Sequence, residues 1–109
     1  MLKLLNIRNF VIVEQINLEF LSGFTVLTGE TGAGKSILID ALSLTLGERG
    51  DASQICQGHD RAEISALFDI TASPELAEWL TEYDLQGDPG VCLMRRVLDA
   101  NGRSRAFIN

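Results

Sequence analysis

The sequence predicts an α/β domain that combines a mixed sheet with an antiparallel β lobe. The first observation is a glycine-rich turn that follows an apolar strand at 24–28 and precedes an apolar helix at 35–46. The second is a strand pattern at 62–70, where apolar and polar residues alternate. The third is Asn101-Gly102, a dipeptide typical of a two-residue turn between hairpin strands.

The remaining elements follow from periodicity and from breaking residues. Two strands are predicted at the start of the chain, over 2–8 and 14–20, and the hairpin strands at its end, over 91–99 and 103–109. Ser73-Pro74 is typical of a helix start. The apolar residues at helical spacing after it are expected to form the buried stripe of that helix: Leu76, Trp79, Leu80 and Tyr83.

The predicted organisation is a single partial domain in three parts. Residues 1–50 hold the strand and helix around the glycine-rich turn, 51–61 form a polar loop, and 62–109 form the antiparallel lobe with one helix. The last strand runs to Asn109 without a cap or a tail. We therefore expect the chain to be cut from a longer protein.

The composition argues against several classes of function. The net charge of −6 argues against a domain whose whole surface attracts nucleic acid, although a local basic patch stays open. Two cysteines and one histidine cannot assemble a tetrahedral zinc site from nitrogen and sulfur ligands. The longest unbroken apolar run near the start, Phe10 to Val13, is too short for a signal peptide or a membrane span. We expect a cytoplasmic protein with no membrane partner.

The run from Gly29 to Ser36 matches the phosphate-binding pattern G-x-x-x-x-G-K-[ST], the P-loop, between a strand and a helix. Glycines let successive backbone N–H groups point at phosphate oxygens, and the helix N-terminus adds partial positive charge. Lys35 is expected to bridge the β- and γ-phosphates as the catalytic residue, and the Ser36 hydroxyl to ligate Mg²⁺. A plain glycine-rich turn would not explain a lysine at the first turn of a buried helix. The pattern therefore predicts a P-loop NTPase whose nucleotide-binding residues include Gly29, Glu30, Thr31, Gly32, Ala33, Gly34, Lys35 and Ser36.

Hydrolysis needs a carboxylate at the end of a buried strand to hold Mg²⁺. Asp69 is the only acid whose position along the chain fits this role. The strand before it alternates, whereas the metal-bearing strand of a parallel P-loop core is apolar on both faces. Asp69 is therefore more typical of a solvated strand residue. Two alternatives stay open: a self-sufficient small kinase or NTPase that uses Asp69 as its metal acid, and a non-catalytic interaction module.

Four segments of the chain resemble the RecN family of bacterial DNA repair proteins, SMC-like members of the ABC ATPase superfamily. They are residues 5–10, 18–20, 23–42 and 102–109. The P-loop alone would indicate only a superfamily, but the closing run R-S-R-A-F-I-N makes the resemblance more specific. It covers the chain from end to end and implies the N-terminal half of an ABC/SMC-type ATPase head. A long coiled coil and a C-terminal segment with the signature motif and the Walker B acid would follow.

The resemblance also implies the function: an ATPase, cytoplasmic and nucleoid-associated, that acts in recombinational repair of DNA double-strand breaks. The implied cofactors are ATP and Mg²⁺, and the implied partners are the C-terminal head segment, a second head in a homodimer, and DNA. Two complete heads would enclose ATP between one P-loop and the other head's signature motif. As half a catalytic unit, the fragment is expected to bind nucleotide weakly and to turn it over hardly at all.

The family pattern adds three residues to the nucleotide site. Arg8 and Asn9 lie where SMC-like heads often contact the nucleotide, although a turn at a strand end with a core Phe10 explains them equally well. Ile37 replaces a hydroxyl residue common in ABC transporters, so we expect no side-chain contact from it to the α-phosphate.

Other arginines are ambiguous. Arg49 lies in the long loop, where SMC-like heads carry an arginine that reaches toward nucleotide or DNA, but loop arginines are usually only solvated. A two-residue turn at Asn101-Gly102 would place Arg96, Arg103 and Arg105 on one face of the hairpin. That face is predicted to be either a small phosphate-contacting patch or an ordinary sheet surface. Whether any of these arginines contacts DNA is not decided by the sequence.

Overall fold

The computed structural model describes the backbone of residues 2–19 and 32–109, and the side chains of 2–19 and 36–109. The predicted strand 24–28 and the first part of the glycine-rich run, Gly29 to Thr31, lie outside the described residues. The described elements are, in chain order, β1 (Leu2–Phe10), β2 (Val13–Glu19), α1 (Gly32–Thr45), a single 3₁₀ turn (Ala52–Gln54), β3 (Arg61–Asp69), α2 (Pro74–Glu82), β4 (Val91–Asp99) and β5 (Ser104–Ile108).

The described strands form one five-stranded sheet in the order β2-β1-β3-β4-β5. Each pair of neighbours is antiparallel. β1 pairs with β3 through Ile7 opposite Ile64 and Leu5 opposite Ala66. The strands predicted in the first part of the chain and those predicted in the last part therefore share a single sheet.

The hydrophobic core lies between α1 and one face of this sheet, which we call the covered face. Ile37, Ala41 and Leu44 recur at helical spacing and are all buried. They pack against the alternating residues of the strands, of which Ile7 and Ile64 are buried almost completely. The opposite face, which carries the other set of alternating residues, we call the open face, because both α-helices described in residues 2–19 and 32–109 pack on the covered side.

α1 begins at Gly32, three residues before the predicted start at Lys35, and ends at Thr45. The apolar periodicity of the sequence starts only at Ile37, and glycines are poor helix formers, so the first turn carries no sequence signal for helix. The consequence is functional, because the last part of the glycine-rich run belongs to the helix itself.

The predicted buried stripe of α2 is wrong except for Leu80, which is 3% exposed. Trp79 and Tyr83 are 43% and 59% exposed, and their rings contact each other with centroids 4.8 Å apart. α2 packs on the end of the sheet near Ile70 and Cys92, where there is little surface to cover the rest of its apolar face. Helical spacing identifies an apolar stripe but does not say how much of a sheet lies beneath it.

The hairpin register differs by one residue from the predicted one. Leu98 lies opposite Ser104 and Val97 opposite Arg105, so the connection has the length of a three-residue loop with Gly102 at φ +84°. A shift of one residue moves side chains to the other face of a sheet. Arg96 therefore lies on the covered face, whereas Arg105 lies on the open face, and the prediction that they share one face is wrong.

None of the helices found in residues 2–19 and 32–109 is both long enough and apolar enough to cross a lipid bilayer.

Candidate nucleotide site

The N-terminus of α1 is formed by the second half of the glycine-rich run. Residues Gly32 to Lys35 make the first turn, Ser36 follows as an exposed residue, and this turn contains no acidic residue. The free N–H groups of a first turn and the helix dipole favour an anion at this end. A helix of 14 residues therefore presents its positive end at the lysine and serine of the motif.

Ile37 anchors this end of the helix in the core. Its side chain is only 8% exposed, whereas that of Ile39, two residues further along, is 63% exposed. The Ile37 side chain therefore packs against the sheet. Its burial fixes the rotation of α1 about its axis, so that the exposed Ser36 points away from the core.

The C-terminal end of α1 is capped by an arginine that sequence reasoning placed elsewhere. Arg96 on β4 donates a hydrogen bond from Nη1 to the Leu44 carbonyl at 2.8 Å and from Nε to Ser104 Oγ at 2.7 Å. The last carbonyls of a helix lack partners within the helix, and a cation there complements the dipole. The helix α1 is thus tied to the hairpin, and the register shift is what brings Arg96 to it.

Arg8 and Asn9 lie at the end of β1. Arg8 is exposed and pairs with Gln15 and Glu63 on the open face, so the structure does not bring it to the face that carries α1. Asn9 has a φ of +55° and accepts a backbone hydrogen bond from Cys56 at 2.7 Å. The positive φ suits an asparagine at a strand-end turn.

The loop after α1 is pinned to that same turn. Val11 donates its N–H to the Gln54 carbonyl, and Phe10 forms a bridge with Ile55. Asp51 begins the 3₁₀ turn with a reciprocal cap in which it accepts from the Ser53 amide at 2.8 Å and its own amide donates to Gln54. Hydrogen bonds from the Ser53 hydroxyl and, second, from the Ser53 amide lower the pKa of the Asp51 carboxyl. The spacing of Asp51 and Gln54, three positions apart, is the sequence signal of this cap.

Asp69 is the last residue of β3 and lies opposite Val91. Its carboxylate accepts hydrogen bonds from the Thr71 hydroxyl at 2.7 Å and the Thr71 amide at 2.9 Å, which hold the pKa of Asp69 below its ordinary value. The carboxylate therefore helps to form the turn that ends the strand. Across residues 2–19 and 32–109, no group of three or more His, Cys, Asp or Glu residues is placed to hold a metal ion.

Arg49 is exposed beside the C-terminal end of α1. It lines an open depression of about 310 Å³ together with Asp40 and Glu48. Two carboxylates beside one guanidinium make this depression less favourable to phosphate than the N-terminal end of the helix.

The sequence comparisons identify the family. The model of the family described as "AAA domain" matches residues 2–84, which is more than half of the chain. The chain belongs to the AAA domain family. The resemblance to RecN is also confirmed: the chain is 49% identical to the DNA repair protein RecN of Haemophilus influenzae and 48% identical to that of Vibrio cholerae. Each match covers 100% of the chain and 20% of the relative, so the chain spans about a fifth of the length of these curated relatives.

Solved structures confirm the fold of this AAA domain chain. A structure from work described as "Structural biochemistry of ATP-driven dimerization and DNA stimulated activation of SMC ATPases" superposes with a TM-score of 0.74 at 22% identity, over 99% of this chain and 69% of that one. The Smc head domain of Pyrococcus yayanosii gives 0.75 at 21% identity, over 99% and 22% of the two chains. The α/β head fold of the ABC/SMC type is thereby confirmed.

Proposed function

We propose that this chain is the ATP- and Mg²⁺-binding half of a RecN-like ATPase head that acts in recombinational repair of DNA double-strand breaks. The observation that carries the proposal is that α1 begins inside the G-x-x-x-x-G-K-S run, so that Lys35 completes its first turn and Ser36 follows. The helix end, an ammonium and a hydroxyl are the three groups that a Mg²⁺-bound triphosphate needs from this motif.

Each residue of the motif has a stated role in this proposal. Backbone N–H groups from Gly29 to Gly34 surround the phosphate oxygens, Lys35 contacts the β- and γ-phosphates, and Ser36 ligates Mg²⁺. Mg²⁺ supplies charge neutralisation between the β- and γ-phosphates when it is bound. The rigid element behind these groups is α1, held by Ile37 at its first half and by Arg96 at its end.

We also propose that the remainder of the protein covers the outer side of α1. Ile39 and Leu46 are 63% and 62% exposed, although both belong to the helix that carries the motif or directly follow it. Exposed apolar groups on a central helix are typical of a surface that is buried by another segment. The C-terminal segment of the same protein is the proposed partner, and a second head would complete the site and allow ATP hydrolysis. This part of the proposal is supported by the ATP-driven dimerisation of the SMC ATPases to which the fold is similar.

Fluorescent nucleotide binding to the 109-residue chain tests the first part of the proposal. An ATP analogue with a fluorescent ribose substituent is titrated with Mg²⁺ and with EDTA, and anisotropy gives the Kd. Lys35→Ala should weaken binding by about 10- to 150-fold, since a hydrogen bond to a charged group contributes about 1.5–3 kcal/mol. Ser36→Ala should remove most of the difference between Mg²⁺ and EDTA.

Lys3→Ala is the matched control, because it removes an exposed lysine from β1 and leaves α1 intact. It should bind nucleotide like the unmodified chain. Equal Kd values for Lys35→Ala and Lys3→Ala, or the absence of any nucleotide binding at millimolar concentration, would refute the proposed function.

A further inference from the structure

The open face of the sheet concentrates arginines. Alternation and register place Arg8, Arg61, Arg95 and Arg105 on it, and Arg103 stands opposite Asp99 where β5 begins. These five residues, which we call the arginine face, are more than half of the nine basic residues in a chain of net charge −6. The positive charge is thus gathered on one side of an otherwise acidic molecule.

The two acids among these arginines already have partners. Glu63 Oε1 lies 2.6 Å from Arg95 Nε. Asp99 accepts hydrogen bonds from the backbone amides of Asn101 at 2.9 Å and Arg103 at 3.1 Å, which hold the hairpin loop. Among the side chains described, those of 2–19 and 36–109, Arg95 is the only one of these five arginines that forms an ion pair. The exposed guanidinium groups at the four other positions therefore remain available to an external anion.

Two of these guanidinium groups flank a depression in the sheet surface. It has a volume of about 200 Å³ and is lined by Arg61, Val97, Asp99 and Arg105. β3 and β5 lie on either side of β4, so the two arginines approach Val97 from opposite sides. The planar guanidinium group binds a phosphate through two parallel hydrogen bonds, and two such groups across a shallow depression suit a phosphodiester.

An exposed aromatic ring stands next to this depression. Phe107 follows Arg105 by two positions on β5, lies opposite Arg95, and is 43% exposed. The Arg95 guanidinium lies 5.2 Å from the centre of the ring. Aromatic side chains beside arginines on a sheet surface stack unpaired bases, whereas the bases of a duplex are already stacked on one another.

We propose that the arginine face binds single-stranded nucleic acid, with a phosphate between Arg61 and Arg105 and a neighbouring base against Phe107. This proposal rests on the proposed function, which supplies DNA as the class of partner. The proposal adds the surface that contacts the DNA. It depends on none of the P-loop residues, since α1 packs on the covered face. Nucleotide binding and strand binding can therefore be tested separately.

Fluorescence anisotropy with a labelled oligothymidine of about 20 nucleotides tests the proposal, with a duplex of equal length as competitor. The 109-residue chain is titrated without ATP, starting from about 50 mM salt. Arg105→Gln should weaken binding by about 10-fold and lower the slope of log K against log salt by about 0.7, the value for one phosphate contact on a single strand. Phe107→Leu should weaken binding at least five-fold without changing that slope, because stacking contributes about 1–3 kcal/mol per base.

Lys3→Gln is the matched control, since it also removes one positive charge but lies five positions from Arg8, about 17 Å along β1. It should change affinity less than two-fold. The substituted side chains are exposed, and circular dichroism of each variant verifies that the sheet is unchanged.

Four results would overturn the proposal: no binding at about 50 mM salt, equal losses for Lys3→Gln and Arg105→Gln, no loss for Phe107→Leu, or duplex binding as tight as single-strand binding. Lys35→Ala separates this proposal from the proposed function. Retained strand binding with lost nucleotide binding supports both. If Lys35→Ala abolished strand binding, the oligonucleotide would be occupying the P-loop, and the assignment to the arginine face would be wrong.

Discussion

Adjacent arginines on β4 provide a direct test of how the sheet holds α1. Arg95 and Arg96 point to opposite faces, and only Arg96 bonds to α1, through the Leu44 carbonyl. Arg96→Met keeps most of the apolar stem and removes both guanidinium bonds. We expect it to lower the free energy of unfolding by about 2–3 kcal/mol, the contribution of a hydrogen bond to a charged group plus the helix-dipole interaction.

Arg95→Met is the matched control, because its ion pair is partly exposed, with side-chain exposures of 37% and 28% for the two partners. Exposed ion pairs contribute about 0–1 kcal/mol. Urea unfolding followed by circular dichroism measures both variants. The entropy of unfolding is about 2.1 cal/mol/K per residue. For a chain of 109 residues, each kcal/mol of lost stability therefore lowers the midpoint of thermal unfolding by about 4 °C. The midpoint of Arg96→Met should therefore fall by about 8–12 °C. Equal losses for the two variants would refute the conclusion that Arg96 specifically caps α1.

Four further outcomes are expected. Ile37→Ala should lower the free energy of unfolding by about 2–5 kcal/mol, and Ile39→Ala by less than about 0.5 kcal/mol, as measured by urea unfolding; similar losses would contradict the packing of α1. Asp69→Asn should leave Mg²⁺-dependent nucleotide binding unchanged, and loss of that binding would favour the small-kinase alternative. Because hydrogen bonds from Thr71 lower the pKa of Asp69 in the folded protein, the ionised carboxylate stabilises the fold above about pH 4. That stabilisation is lost as the pH falls through the pKa of Asp69 in the folded protein. Asp69→Asn should therefore flatten this part of the acid unfolding curve. Steady-state phosphate release by the chain should be barely measurable, and turnover near one per second that Lys35→Ala abolishes would show a complete active site.

Local patterns in the sequence were enough to predict most of the elements. The alternation at 62–70 became β3 within one residue at each end, and Ser73-Pro74 correctly marked the start of α2. The P-loop run correctly predicted a helix at this place in the chain, because a phosphate-binding motif of this type uses a helix N-terminus, although α1 begins inside the run at Gly32. These predictions depend on residues that are close in sequence.

The wrong predictions about burial depend on residues that are distant in sequence, whereas the wrong hairpin register depends on a local side chain. Asn101-Gly102 predicted a two-residue turn, but Asp99 bonds to the amides of Asn101 and Arg103 and makes the loop one residue longer. Trp79 is exposed because little of the sheet extends beneath α2. The hydrophobic periodicity of the sequence carries no information about the extent of the sheet under a helix. The sequence predicted only the part of the arginine face formed by Arg103 and Arg105, because its other members lie on other strands and share only a face with them.

The register shift has a consequence for function beyond the hairpin itself. With a two-residue turn, Arg96 and Arg105 would share a face, and the end of α1 would lose its cap or the open face would lose an arginine. The three-residue loop places Arg96 against the C-terminal end of α1 and leaves Arg105 beside Arg61. The three-residue loop that Asp99 holds thus places two arginines of the same hairpin on opposite faces of the sheet. One stabilises the helix that carries the phosphate-binding motif, and the other extends the positively charged surface on the far side of the sheet.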